Sequence, residues 1–295
     1  MQIPKGKLIP IGGNEDKGTY PEDHSPPKHY LNFFEFGILR RILSEMKGAD
    51  SRVEVITTAS MIPHEMGKVY LQAFAQLGSD RVSVMHIRTR EEADTPAYLD
   101  RLRKADGVLF TGGDQRRLVK VFKDTSFHQI LYERYMHEPF VIAGTSAGAM
   151  AMSKTMIYGG SSAKAFLKGE IKFMEGLGFI EHLIIDSHFI NRGRFGRLAK
   201  GIAIEPHRIG LGLGEDTGVL IREGNLIETI GSGLVVIFDG SQLGHTNVQE
   251  LQDGFPVSIE HLIMHVLAKG NCYSLNERKF IVGNEISRSG KEVEK

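Results

Sequence analysis

Along the first half of the chain, short apolar runs alternate with longer amphipathic stretches. This alternation constrains the fold more than any other feature. Residues 8–11, 53–57, 82–87, 107–110 and 140–143 read as strands. Between them, residues 30–46, 65–77, 98–104 and 118–133 carry apolar side chains at helical spacing, and the first of these helices ends near Gly48. Such alternation builds a mostly parallel sheet with helices on both faces.

The second half reads differently. Residues 183–185, 209–213, 219–221, 226–230 and 234–238 are short strands with Gly or charged turns between them. They predict hairpins that extend the sheet, antiparallel at one edge. A late helix is expected over 259–267, and a charged, frayed tail from Arg288. With no linker or repeat, the chain reads as one α/β domain over 1–287 followed by the tail 288–295.

Glycine-rich turns recur at Gly12-Gly13, Gly112-Gly113, Gly144/Gly148 and Gly210/Gly212/Gly214, each after an apolar run. Parallel strands end at one sheet edge, where ligand crevices form, so these turns are expected to line one site. They are not nucleotide loops. No Gly-x-x-x-x-Gly-Lys-Ser/Thr occurs, and Gly210-Leu-Gly-Leu-Gly214 is not Gly-x-Gly-x-x-Gly. No cofactor is indicated. The balance of 36 basic and 36 acidic residues lacks the basic excess of a nucleic-acid binder. A lone cysteine, Cys272, excludes an internal disulfide framework and suggests a reducing compartment. The start of the chain shows no apolar signal core of about 7–15 residues, and no run approaches the ~20 apolar residues of a membrane span. The expectation is a cytoplasmic protein without a membrane partner.

The segment Phe140-Val-Ile-Ala-Gly-Thr-Ser-Ala-Gly-Ala-Met150 carries the clearest chemistry. An apolar strand runs into Gly144-Thr-Ser-Ala-Gly148, which fits the Gly-x-Ser-x-Gly nucleophile elbow. The sharp turn lifts the Ser146 hydroxyl above the sheet edge, and the next backbone N–H, on Ala147, faces a developing oxyanion. The bland alternative is a Gly/Ser turn with no chemistry.

A serine nucleophile needs a base, and the base an orienting acid. His188 follows an apolar strand in Ile184-Ile-Asp-Ser-His-Phe-Ile-Asn-Arg-Gly-Arg-Phe-Gly-Arg197. Alternation puts Asp186 on the same face. Arg192, Arg194 and Arg197 are not at clean helical spacing; beside a hydrolase site they favour an acidic substrate, whereas the ordinary reading is a solvated charged face. Glu215, at the end of the Gly-alternating strand, is the preferred acid, with Asp216 and Asp186 as competitors. The resulting order Ser…His…Glu differs from that of α/β-hydrolases, so the elbow belongs to another α/β scaffold. Gly113 offers a second oxyanion donor, and Gln115 is placed to contact substrate. Metal binding is not indicated: there is no His-Glu-x-x-His and only one cysteine.

Gly-Thr-Ser-Ala-Gly-Ala, Thr-Gly-Gly-Asp-Gln-Arg-Arg-Leu, Asp-x-His-Phe-x-x-Arg-x-Arg-x-x-Arg-Leu and Gly-Glu-Asp-Thr together resemble the cyanophycinase family, serine peptidases related to dipeptidase E. The likeness runs from Ile11-Gly-Gly-Asn-Glu-Asp-Lys17 to the strands near Phe238. It implies a flavodoxin-like, glutamine-amidotransferase-like fold, often dimeric. It also implies hydrolysis of cyanophycin, a poly-aspartate bearing arginine on its side chains, to β-Asp-Arg dipeptides. The resemblance assigns Ser146 as nucleophile, His188 as base and Glu215 as acid. Gln115, Asp186, Ser187, Arg192, Arg194 and Arg197 fall at substrate-contacting positions. Position 187 departs from the pattern, being serine where the family carries glutamine. Asp186 and Glu170 are candidates for a substrate guanidinium. Two other readings stand beside this one: an aspartyl or isoaspartyl dipeptidase acting on short peptides, and a non-catalytic amidotransferase-like binding module.

Overall fold

The computed structural model describes residues 2–18 and 31–283. The expected tail from Arg288 lies outside the described residues, as does Tyr30 at the start of the first expected helix.

The alternation of the first half produces five parallel strands: β1 (Lys7–Ile11), β2 (Val53–Ile56), β3 (Val82–Met85), β4 (Gly107–Phe110) and β5 (Val141–Thr145). They lie in the order β3-β2-β4-β5-β1. Neighbouring strand residues point to opposite faces, and both faces are apolar. Ile9, Leu109 and Val141 join one core with Tyr70 and Phe74, whereas Leu8, Val108 and Ile142 join the other with Leu118 and Phe122. The helices supply these lids. On one side lie α1 (Phe33–Phe36), α2 (Ile38–Ser44) and α3 (Pro63–Gln76). On the other lie α4 (Arg90–Ala93), α5 (Pro96–Lys104), α6 (Gln115–Phe122), α7 (Ser126–His137) and α8 (Ala147–Met150).

Two expected helices are each split in two. The first breaks at Gly37, whose extended backbone (φ −63°, ψ 151°) interrupts the ladder. The fourth breaks before Thr125, whose hydroxyl accepts from the His128 N–H and restarts a helix.

The second half divides between two sheets. Beyond β1, the strands β10 (Thr217–Arg222), β11 (Leu226–Gly231), β14 (Cys272–Ser274) and β15 (Lys279–Ile281) extend the parallel sheet by antiparallel pairing into nine strands. The remaining strands do not extend it. Instead β8 (Leu183–Asp186), β9 (Ile209–Leu213), β12 (Val235–Asp239) and β13 (Ile263–Leu267) form a separate four-stranded sheet, and β8 and β9 pair in parallel. The ten-residue α9 (Phe195–Ile204) connects β8 to β9. A hairpin of β6 (Thr155–Gly159) and β7 (Lys172–Glu175) stands apart.

The expected helix over 259–267 is corrected by β13. Residues 263–267 pair antiparallel with β12, from Ile263 opposite Asp239 to Leu267 opposite Val235. His261, at φ 58°, breaks any helix there. The unpaired edge of β12 offered backbone partners that local periodicity does not register.

Candidate active site

The elbow forms where β5 meets α8. Ser146 sits between them at φ 50°, ψ −105°, a conformation that non-glycine residues seldom adopt and that the surroundings must hold. The flanking glycines allow the tight turn. A Cβ on Gly144 would lie 2.6 Å from the Gly148 carbonyl carbon, and one on Gly148 would lie 2.4 Å from the Phe110 carbonyl oxygen.

His188 follows β8 with a turned backbone of φ 46°. Its Nε2 is 3.1 Å from Ser146 Oγ, and its Nδ1 is 2.7 Å from Glu215 Oε1. Glu215, just past β9, accepts a second hydrogen bond at Oε2 from Asn191 Nδ2 at 3.2 Å, and the Asn14 side chain favours its ionised form. Burial pushes the His188 pKa down. The Glu215 hydrogen bond opposes this, while the Arg192 and Arg194 charges add to the lowering. Burial raises the Glu215 pKa, but hydrogen bonds from Asn14 and His188 and the Arg192 charge outweigh it, so the carboxyl titrates below its ordinary range. A neutral imidazole between a hydroxyl and an ionised carboxylate can accept the hydroxyl proton and stabilise the resulting imidazolium.

The glycine turns meet around this group. A Cβ on Gly112 would lie 3.5 Å from Ser146 Cβ, one on Gly13 would touch the His188 ring, and one on Gly12 would collide with the Gly214 carbonyl. Gly113 follows in the β4–α6 turn. Ala147 opens α8, so its N–H lies outside that helix's own ladder.

The other expected contact residues divide by burial. Arg192 is exposed, and its charge is felt at both His188 and Glu215. Gln115 turns its amide to the Ile157 carbonyl at 2.9 Å and towards Met150 Sδ at 4.0 Å. The Ser187 hydroxyl is 3.5 Å from Ser146 Oγ and 3.3 Å from Met150 Sδ. Asp186 is turned into the fold. It is fully buried, and its Oδ1 accepts from Arg194 Nη1 at 2.9 Å and Arg197 Nη2 at 3.2 Å. Arg197 Nε lies 3.1 Å from Asp186 Oδ2, close enough for ion pairing but not aligned for a hydrogen bond. Asp186 closes β8 and is buried there, while His188 leaves the strand with a turned backbone, so strict alternation does not carry from one to the other and Asp186 is not open to solvent. Arg197 is buried with it, and Arg194 is mostly engaged with Asp186 and the Ser187 carbonyl. Glu170 accepts from the Ser161 N–H at 2.8 Å.

The competitors for the acid are also placed. Asp216 accepts from the Asp16 N–H and the Ser232 hydroxyl, and Asp186 from the arginines, so neither takes the position that Glu215 holds beside His188. Sequence reasoning missed Asn14 and Asn191. Both lay inside quoted motifs, after the Gly12-Gly13 turn and within the arginine cluster, but an asparagine gives no spacing signal of its own. Among the described residues, no group of three or more His, Cys, Asp or Glu is placed to hold a metal ion, and no helix is long and apolar enough to cross a membrane.

The fold and this serine-centred edge define a peptidase of the open α/β class. The chain belongs to peptidase family S51, whose model matches residues 34–229. It is 33% identical over 277 residues to a cyanophycinase of Trichormus variabilis, covering 94% of this chain and 88% of the relative. It is 31% identical over 282 residues to a cyanophycinase of Geminocystis herdmanii, covering 96% and 98%. The crystal structure of a peptidase from an acI-B1 Actinobacterium superposes with a TM-score of 0.63 over 93% of this chain and 98% of that one, at 21% identity, and shares the fold.

Proposed function

We propose that this peptidase hydrolyses cyanophycin, releasing β-Asp-Arg dipeptides, with Ser146 as nucleophile, His188 as general base and Glu215 as orienting acid. The observation that carries the reading is the continuous chain from Ser146 Oγ through His188 to Glu215, at 3.1 and 2.7 Å. Ser146 Oγ attacks the carbonyl carbon of a backbone aspartyl residue and passes its proton to His188 Nε2. The oxyanion is held by the N–H groups of Ala147 and Gly113, each such donor contributing about 2.7–4 kcal/mol. His188 returns the proton to the leaving amine as the C–N bond breaks. Water then attacks the acyl-serine, with His188 again as base, and frees the new carboxyl and the serine. Arg192 is the exposed cation beside this centre and suits an aspartyl carboxylate. The cyanophycinase names of the relatives support the polymer as substrate. The proposal includes a homodimer in the cytoplasm.

A second reading, hydrolysis of short aspartyl or isoaspartyl peptides, is favoured by Ser187 standing where the resembling family carries glutamine. One assay separates the two. Purified cyanophycin is incubated with the protein and with Ser146→Ala, and soluble β-Asp-Arg is measured. Dipeptide release that vanishes in the variant is the expected result. Turnover of short aspartyl peptides without release from the polymer moves the assignment to the second reading, and unchanged activity in Ser146→Ala removes the nucleophile.

A further inference from the structure

Six consecutive residues, from the last of β1 onward, reach the segments that carry Ser146, His188 and Glu215. The Ile11 carbonyl accepts from the Ser146 N–H at 2.8 Å, the Gly12 carbonyl from the His188 N–H at 2.7 Å, and the Gly13 carbonyl from the Asp216 N–H at 2.9 Å. The Asn14 side chain favours the ionised form of Glu215. Glu15 Oε2 accepts from the Thr145 hydroxyl at 2.6 Å, and the Asp16 N–H donates to Asp216 Oδ1 at 2.9 Å.

Glu15 is the unusual member. It is 3% exposed, and its carboxylate is shared among the Thr145 hydroxyl, the Tyr70 hydroxyl and Lys17 Nζ, the last at 3.2 Å. Lys17 also lies over the Tyr70 ring, 5.3 Å from its centroid. Burial disfavours the charge, but Lys17 and the two hydroxyls outweigh it and keep the carboxyl ionised. A buried ion pair is a weak source of stability, since apolar residues of similar volume do as well or better; its best-attested use is to specify geometry. Here it holds the residue before Ser146, and Ser146 has a backbone that persists only when its surroundings over-determine it.

We infer that residues 11–16 act as a template that sets the catalytic group in register, and that Glu15 is a positioning residue for Ser146, acting through the Thr145 hydroxyl. This rests on the reading of Ser146 as nucleophile. Glu15 touches neither substrate nor the reacting atoms. It limits how far the elbow can relax, so its removal lowers the reactivity of Ser146 more than the affinity for substrate.

The test follows the rate of covalent labelling of Ser146 by a fluorophosphonate, which needs no knowledge of the natural substrate. Wild type, Glu15→Gln, Thr145→Val, Thr145→Ser and the double variant Glu15→Gln/Thr145→Val are compared. The final labelling stoichiometry and the melting temperature report the folded fraction; the rate reports positioning. Glu15→Gln and Thr145→Val are expected to label about 10–100-fold more slowly, the scale of an ångström-level misplacement. Thr145→Ser restores most of the rate, and the double variant is no slower than the slower single variant, because both remove one bond. On a turned-over peptide, kcat falls and KM holds. Folded variants that label at the wild-type rate, or a Thr145→Ser no faster than Thr145→Val, overturn the inference. Wild-type protein that labels nowhere at Ser146 overturns the nucleophile assignment first and the template with it, so the two failures are distinguishable.

Discussion

The contact between Gly13 and His188 gives the sharpest prediction. A Cβ built on Gly13 lies 2.4 Å from His188 Cε1 and 2.5 Å from Nε2, and Gly13 has φ 105°. Ordinary contact for a Cβ begins at 3.4 Å. In Gly13→Ala the imidazole must therefore retreat by about 1 Å, or the template must move by as much. The Nε2–Oγ separation is 3.1 Å, so a retreat of that size carries it outside hydrogen-bonding range. A 1 Å misplacement costs about 10²-fold in rate, or roughly 2.7 kcal/mol of barrier. The expected result is a kcat/KM about 100-fold lower, with both kcat and fluorophosphonate labelling reduced. The assay is turnover of an aspartyl peptide normalised to labelled sites, so loss of folded protein does not count as loss of chemistry. Gly13→Ala with wild-type turnover per site would refute the reasoning, because the ring could not then be acting from the position observed.

Two other outcomes follow from the electrostatics. Arg192 lowers the His188 pKa because a nearby cation disfavours imidazolium. Arg192→Gln removes that cation, the His188 pKa rises, and the acid limb of the kcat/KM profile moves to higher pH; a limb that stays or moves down excludes the effect. Asp186→Ala strands the buried Arg197 and is expected to cost about 3–5 kcal/mol in urea unfolding, as for a broken buried pair; a loss within measurement error would show that Arg197 finds water or another partner.

Local signals carried much of this architecture. The apolar runs ending at Phe110 and Ala143, and the small-residue turns after them, mark strand ends that depend on near neighbours in sequence. What stayed hidden depends on distant partners. The pattern of residues 259–267 suits a helix until β12 offers an edge, and the split of the later strands into two sheets has no local signature. The same holds at the site. Ser146 announces itself through its flanking glycines, but Asp186 looks like a companion of His188, and only the structure shows it buried in β8 while His188 turns out of the strand at φ 46°. Asn14 and Glu15 reach Glu215 and Thr145, each more than a hundred residues away, so no spacing rule finds those links.

The division of strands has a consequence for when the protein can act. Ser146 follows β5 of the nine-stranded sheet, whereas His188 and Glu215 follow β8 and β9 of the four-stranded one. β9 is flanked on its far side by β12, so the smaller sheet closes only once residues 235–239 are in place. A growing chain that has made the serine elbow still lacks His188 and Glu215, the base and acid of the proposed mechanism, until nearly 100 further residues have folded (about 5–20 s of synthesis at the usual rate). Under the proposed mechanism, hydrolytic competence is thus withheld from the unfinished polypeptide by chain order, and a fragment cut between the two sheets would retain Ser146 with neither His188 nor Glu215 beside it.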